Sequence, residues 1–146
     1  MALQQAVGIT AGISTTLPAT HDAAGFGALT FTAIGKLNAV PDMTGEHDIA
    51  NFDNLSTGEE EKFADVFRAG DGMLSVGLDY DDTGQTAIEG AVGTKVAWEF
   101  TLKDGTVYYR NGIVRSFKPM GFSTGNVVMA DVSVAFEKTS VKVDAT

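Results

Sequence analysis

Residues 94–138 read TKVAWEFTLKDGTVYYRNGIVRSFKPMGFSTGNVVMADVSVAFEK, and their alternation decides the fold class. From Thr94 to Lys103, Val96, Trp98, Phe100 and Leu102 fall on one face, with Lys95, Glu99, Thr101 and Lys103 on the other. A period of two marks a strand buried on one side. Lys103-Asp104-Gly105-Thr106 then reads as a two-residue hairpin turn, because Asp-Gly accepts the positive φ angles of a primed turn. The second stretch, Thr106–Lys118, is rich in Val, Ile, Tyr and Phe, and is expected to stop at Pro119, which has no N–H for a ladder. The third, Asn126–Lys138, sets Val128, Ala130, Val132, Val134 and Phe136 against Asp131, Ser133, Ala135 and Glu137. The C-terminal third is therefore predicted to be an antiparallel meander with one apolar face.

Upstream of it, Met73–Tyr80 alternates in the same way, with Leu74, Val76, Leu78 and Tyr80 on one side. Gln85–Gly90 has room for a helical turn. A flanking helix is predicted over about 57–69. Ser56-x-x-Glu59 and Thr57-x-x-Glu60 are overlapping capping boxes, Glu59–Glu61 suit the positive end of a helix dipole, and Phe63, Val66 and Phe67 form a stripe at helical spacing. Gly70 supplies the stop. Residues 38–56 (NAVPDMTGEHDIANFDNLS) show little periodicity and are expected to form a long loop. Met43, Ile49 and Phe52 are odd choices for a free loop, so this segment is expected to order against another subunit, with Met43, Glu46, His47, Ile49 and Phe52 as its contact candidates. Ala28–Leu37 is predicted to be a strand with a bulge at Gly35, and Val7–Ile13 a short strand before Pro18. The domain plan is an N-terminal arm over 1–25, one β domain over 26–140 and a C-terminal tail over 141–146.

The chain has 146 residues, one domain's worth, and no cysteine, which removes disulfides, thiolate metal sites and cysteine nucleophiles. Residues 1–35 hold no Lys or Arg, and no apolar run approaches the length of a membrane span, so no membrane insertion is expected. The net charge is −9, distributed unevenly. Residues 42–89 hold thirteen acids against Lys62 and Arg68, whereas residues 90–146 hold five acids and seven bases. Such a split suits a surface that meets a less acidic surface, including that of another copy. No Lys/Arg cluster is present for tight nucleic-acid binding.

Few chemical motifs stand out. Asp79-x-Asp81-x-Thr83-Gly84 begins like a calcium loop, but its twelfth position is Gly90, where a bidentate carboxylate is needed. His21 and His47 are the only histidines, and Glu46-His47-Asp48 alternates sides on extended chain, so no metal site is expected. Nothing resembles a nucleophile elbow, a P-loop or HExxH. Neither an enzyme nor a cofactor is expected.

The order of the phrases "ALTFTAIGKL", "NAVPDMTGEHDI", "STGEEEKFADVFRAGDG", "MLSVGLDY", "DDTGQTAIEGA" and "VAWEFTLKDGTVYYRNGIVRSFKP" resembles the tail tube (major tail) proteins of long-tailed siphophages and of gene transfer agents, over about residues 28–138. The resemblance implies a mainly β, antiparallel, sandwich- or barrel-like tail tube fold with one flanking helix. It also implies a structural virion protein, assembled in the host cytoplasm into hexameric rings that stack head to tail as the tail tube. Its partners would be itself, other tail proteins at the tube ends, and double-stranded DNA passing through the channel without tight binding. An acidic wall would repel the duplex over a Debye length of about 8 Å, and Asp79, Glu99, Asp131 and Glu137 are the candidate channel-lining acids. Another tail or secretion-system tube component, or a monomeric β-sandwich that binds a ligand, are the alternative readings.

Overall fold

The computed structural model describes residues 3–145. Its elements run β1 (Thr10–Ser14), α1 (Ala23–Gly27), β2 (Thr32–Ala33), β3 (Leu37–Ala39), β4 (Glu46–Asn54), β5 (Glu59–Arg68), β6 (Asp71–Gly77), α2 (Thr83–Gly90), β7 (Lys95–Thr101), β8 (Val107–Met120) and β9 (Met129–Val143). Seven strands form one antiparallel sheet in the order β2-β1-β7-β8-β9-β6-β3, and β4 pairs only with β5 in a separate ribbon. The fold class is as expected: mainly β, antiparallel and barrel-like.

The sheet's curl follows from its connectivity. β2 and β3 are opposite edges, yet only Ile34, Gly35 and Lys36 lie between them in sequence. Four Cα steps span at most roughly 15 Å, so the two edges of a seven-stranded sheet must come nearly together. Inside the curl lie the alternating residues that the sequence picked out. Leu74 and Val76 of β6, Val96, Trp98 and Phe100 of β7, and Ala130, Val132 and Val134 of β9 are all at most 1 % exposed. The fully buried Ile88 of α2 joins them.

α2 forms because Asp82 caps it, its carboxylate accepting from Gln85 N at 2.9 Å. The same carboxylate accepts from Gly35 N at 3.0 Å, which ties the helix to the crossover between the two sheet edges. Gln85 completes the tie: its side-chain amide donates to the carbonyls of Gly35 and Gly77, and its oxygen accepts from Asp79 N. One buried amide thus holds three segments of chain.

The second face of the sheet is covered at one end only. Residues 20–31 fold over it, with Phe26 stacked on Tyr109 at 5.1 Å and Phe31 beside Tyr109 at 5.8 Å. His21 Nε2 lies 2.6 Å from the Thr139 carbonyl. The remainder of that face, over β6, β8 and β9, is open.

Several expectations are corrected. Residues 57–69 are not a helix: residues 59–68 are strand β5, paired with β4 from Asn54↔Glu59 to Glu46↔Arg68. The residues read as caps serve a turn instead. Ser56 N donates to the Asn54 side chain, Glu59 N to Thr57 Oγ1, and Gly58, at φ +72°, donates to the Asn54 carbonyl. Ser, Thr and Asn satisfy backbone donors in tight turns as readily as at helix starts. The loop expected over 38–56 is largely strand β4. Ala28–Leu37 is not one strand but carries β2 and then the crossover. Pro119 does not end β8, which continues to Met120. Beyond Ile113 that strand has lost its β7 neighbour, and a missing N–H is tolerated on an open edge. The short strand expected before Pro18 is β1, at Thr10–Ser14, and β9 runs to Val143.

Candidate functional site

The ribbon of β4 and β5 is the feature that the rest of the fold does not explain. A two-stranded ribbon with no layer on either face is marginal in water, and this one leaves almost every residue exposed. Ile49 (55 %), Phe52 (56 %), Phe63 (56 %) and Val66 (54 %) are more than half exposed, as is Leu55 at the tip. Cross-strand register puts Ala50 opposite Phe63 and Phe52 opposite Glu61, so apolar and acidic side chains share one face. Over residues 46–68 seven acids stand against Lys62 and Arg68. Both outer edges offer unpaired backbone groups, since each strand has a single neighbour among the described residues.

The ribbon's root, by contrast, is firmly held. Arg110 of β8 is 2 % exposed and points into the fold, donating to the Asp42 carbonyl at 2.8 Å and to the Ala69 carbonyl at 2.9 Å. Its guanidinium lies 3.9 Å from the centroid of the Phe136 ring, a cation–π contact. Burial pulls the guanidinium pKa down, yet it stays charged under any ordinary condition. Asp42 precedes the ribbon and Ala69 follows it, so one side chain clasps both feet. Arg68 adds a 2.8 Å ion pair to Asp48, whose hydrogen bond raises the Arg68 pKa. Gly72 lets the chain leave the root, because a Cβ there would stand 2.4 Å from Pro41 Cβ and 2.7 Å from the Phe136 ring. A cleft of about 320 Å³ at this root is lined by Asp42, Glu46, Arg68, Asp71 and Arg110, a charged rather than apolar lining.

Of the contact candidates, Glu46, His47, Ile49 and Phe52 lie together on β4, exposed. Met43 is half-buried and packs against the core at the root. His47 Nδ1 lies 3.0 Å from the Asp65 carbonyl, with the ring edge-on to Phe67, so it braces the ribbon internally. Phe63 and Val66, which the helical reading assigned to a buried stripe, belong to the exposed set. Sequence reasoning missed them as surface residues because Phe63, Val66 and Phe67 fit a helical stripe, while a bulge in β5 opposite Asp48 breaks the strand's alternation.

The four acidic candidates separate. Glu99, Asp131 and Glu137 lie on strands of the main sheet, on the face away from the core. Asp79 lies after β6, where it accepts from Asp81 N in a local turn. Glu137 pairs with Lys95 at 2.9 Å. Asp131 sits opposite Lys118 in an open groove of about 560 Å³ that also takes in Met73, Arg115 and Ser133. Glu99 is near the cover formed by residues 20–31, and burial raises its pKa against a smaller lowering by the Tyr109 hydroxyl. Arg115 pairs with Asp71 at 3.1 Å, so the open face carries both signs in near balance. Among the described residues no group of three or more His, Cys, Asp or Glu side chains converges on a metal position, and no helix is long and apolar enough to cross a membrane.

No protein-family model matches the chain, and no curated protein is similar to it in sequence. Solved structures are similar in fold. A chain in the structure of the PVC sheath/tube terminator of an extracellular contractile injection system, in its extended state, superposes with a TM-score of 0.69, covering 99 % of each chain at 9 % identity. A chain of the anti-feeding prophage tube terminating cap gives 0.63 at 12 % identity, over 99 % of this chain and 95 % of that one. A chain of the PVC sheath–tube complex gives 0.63 at 10 % identity, over 94 % and 88 %. At such identities the likeness is one of fold, and it extends over nearly the whole length.

Proposed function

We propose that this chain is a structural subunit of a phage-tail-like tube, and that the ribbon 46–68 is the element by which copies join. The observation that carries the reading is the ribbon itself: apolar side chains on free-edged strands, standing clear of the core, on a root built to hold them in place. Whole-length likeness to chains from tube-bearing injection assemblies supports it. Covering the four exposed apolar residues of the strands would contribute about 1 kcal/mol each, given that each is already about half covered. That is enough to favour a contact repeated around a ring, and too little to hold an isolated pair.

In this reading the copies close into hexameric rings that stack head to tail around a channel for double-stranded DNA. The open sheet face supplies surface to neighbours and to the lumen. Glu137, Asp131, Glu99 and Asp79 remain the candidate wall acids. A face whose acids are matched by Lys95, Arg115 and Lys118 would neither attract nor strongly repel a duplex, which suits passage without grip. A second reading, favoured by the 99 % mutual coverage with the terminator structure, makes the chain a tube-end subunit that forms one ring rather than a stack. Negative-stain microscopy of concentrated protein tests both. Hollow rings stacked into tubes support the first reading, single hollow rings the second, and a strictly monomeric particle at every concentration and salt condition contradicts both.

A further inference from the structure

A ribbon that joins copies needs a receiving surface, and two features fit it: the turn at the far end of β6, and the groove that runs along that strand from Arg115, the partner of Asp71, to Lys118. The ribbon enters the sheet at Asp71, the first residue of β6, and Gly77 at the far end of that strand is level with Met129, which is level with Met120. There the β8–β9 connection exposes Met120 (45 %), Phe122 (73 %) and Val127 (76 %). Hydrogen bonds from Ser123 N to Gly121 O and from Asn126 N to Ser123 O give that connection its own order. Next to it runs the open groove with Met73, Arg115 and Lys118. Residues 113–130 hold those two bases and no acid, although Asp131 and Asp71 flank them. Exposed apolar side chains thus stand at both ends of the strand; seven acids against two bases surround those of the ribbon, whereas Arg115 and Lys118 offset Asp71 and Asp131 along the groove, which leaves it near neutral and open to an acidic partner.

We propose that the 113–130 surface, with its groove and turn, is the docking site for the ribbon of a second copy of this chain. Phe52 and Phe63 seat against Met73, Met120 and Phe122, and Glu59 and Glu61, on the same face of the ribbon, lie towards Lys118 and Arg115. The contact is one-way, a ribbon docking on the next copy and not back on the first, and so heterologous: it propagates from copy to copy and closes only as a ring or continues as a filament. This assigns Asp131 to the contact and leaves the Glu137 end of the open face to the channel. The proposal rests on the reading of the chain as a self-assembling subunit, and names the partner surface within it.

The absence of native cysteine gives a clean test. Phe52→Cys and Phe122→Cys variants are mixed in equal amounts at high concentration, oxidised and mapped by peptide mass. Random collision would form the mixed 52–122 link as often as the two like-with-like links together. Docking as proposed should raise the mixed link about tenfold above them, and Lys118→Glu in the Phe122→Cys partner should reduce it, with Glu61→Lys in the other partner restoring it. A chain carrying both cysteines should give a ladder of linked oligomers. Like-with-like links dominating while rings are visible by microscopy would overturn the docking site and leave the tube reading standing. Mixed links in a ladder, without hollow particles, would support the docking site and count against the tube. A double-cysteine chain that stops at dimers would overturn the heterologous contact.

Discussion

Replacing Arg110 with methionine isolates the clasp at the ribbon's root. Methionine keeps most of the side chain's length and its contact with Phe136, but removes both donors. The Asp42 and Ala69 carbonyls are backbone groups, so they stay in place and lose their partner. A hydrogen bond to a charged group is worth roughly 1.5–3 kcal/mol; Asp42 is exposed and Ala69 half-buried at the root cleft, so water there replaces part of what the two carbonyls lose. Relief of the guanidinium's own burial offsets part of this, since Arg110 is 2 % exposed and its Nε has no partner. A net loss of about 2–4 kcal/mol follows. Because both bonds go to the ribbon's feet, the loss should be felt there first. Urea unfolding measures the global value, and hydrogen exchange with limited proteolysis locates it, with residues 42–69 becoming faster to exchange and to cleave while β7–β9 remain protected. A variant as stable as the parent, with an equally protected ribbon, would refute the clasp.

Other outcomes follow from single contacts. Gln85→Leu leaves the carbonyls of Gly35 and Gly77 and the Asp79 N–H without their buried partner, and should cost about 2–4 kcal/mol in chemical denaturation. Trp98→Ala, in the fully buried centre of β7, should cost about 3–5 kcal/mol and lower the thermal midpoint accordingly. Paired substitution of Phe52 and Phe63 by serine should leave the melting temperature of the monomer within a few degrees and abolish assembly in sedimentation, separating stability from association. Glu99 gives a pH signature. Its folded pKa is raised by burial, so the folded state holds its proton to higher pH than the unfolded chain does. The penalty is therefore absent below the usual glutamate range and grows as pH rises from there through the folded pKa. Glu99→Gln should gain stability over the parent above that range and show no gain below it, as read from denaturation midpoints across pH.

The sheet was legible wherever one face meets the core and the other meets water. The alternation of 96–100 and 130–136 maps onto the core and outward faces of β7 and β9, and β6 follows the same rule, whereas β1 is buried from Ala11 to Ser14 on both faces. The ribbon was not legible because neither of its faces is buried within one copy, so its apolar residues obey no inside–outside rule. Phe63, Val66 and Phe67 then fell by chance at helical spacing, beside Ser56, Thr57 and Glu59–Glu61, which serve equally as caps or as turn and edge residues. Ile49 and Phe52 stand out in the sequence as apolar residues in a segment expected to be loop, and the structure places both, exposed, on β4. Arg110 carried no local signal. Its role depends on Asp42 and Ala69, 68 and 41 residues away, meeting over β8, and only the fold brings them together.

Hydrogen exchange of the ribbon in dilute monomer and in concentrated, assembled protein addresses the central claim most directly. Amides within 46–68 should exchange quickly in the monomer, slow markedly on assembly, and slow together with those of 113–130. Assembled particles whose ribbon amides exchange as fast as in the monomer would contradict it.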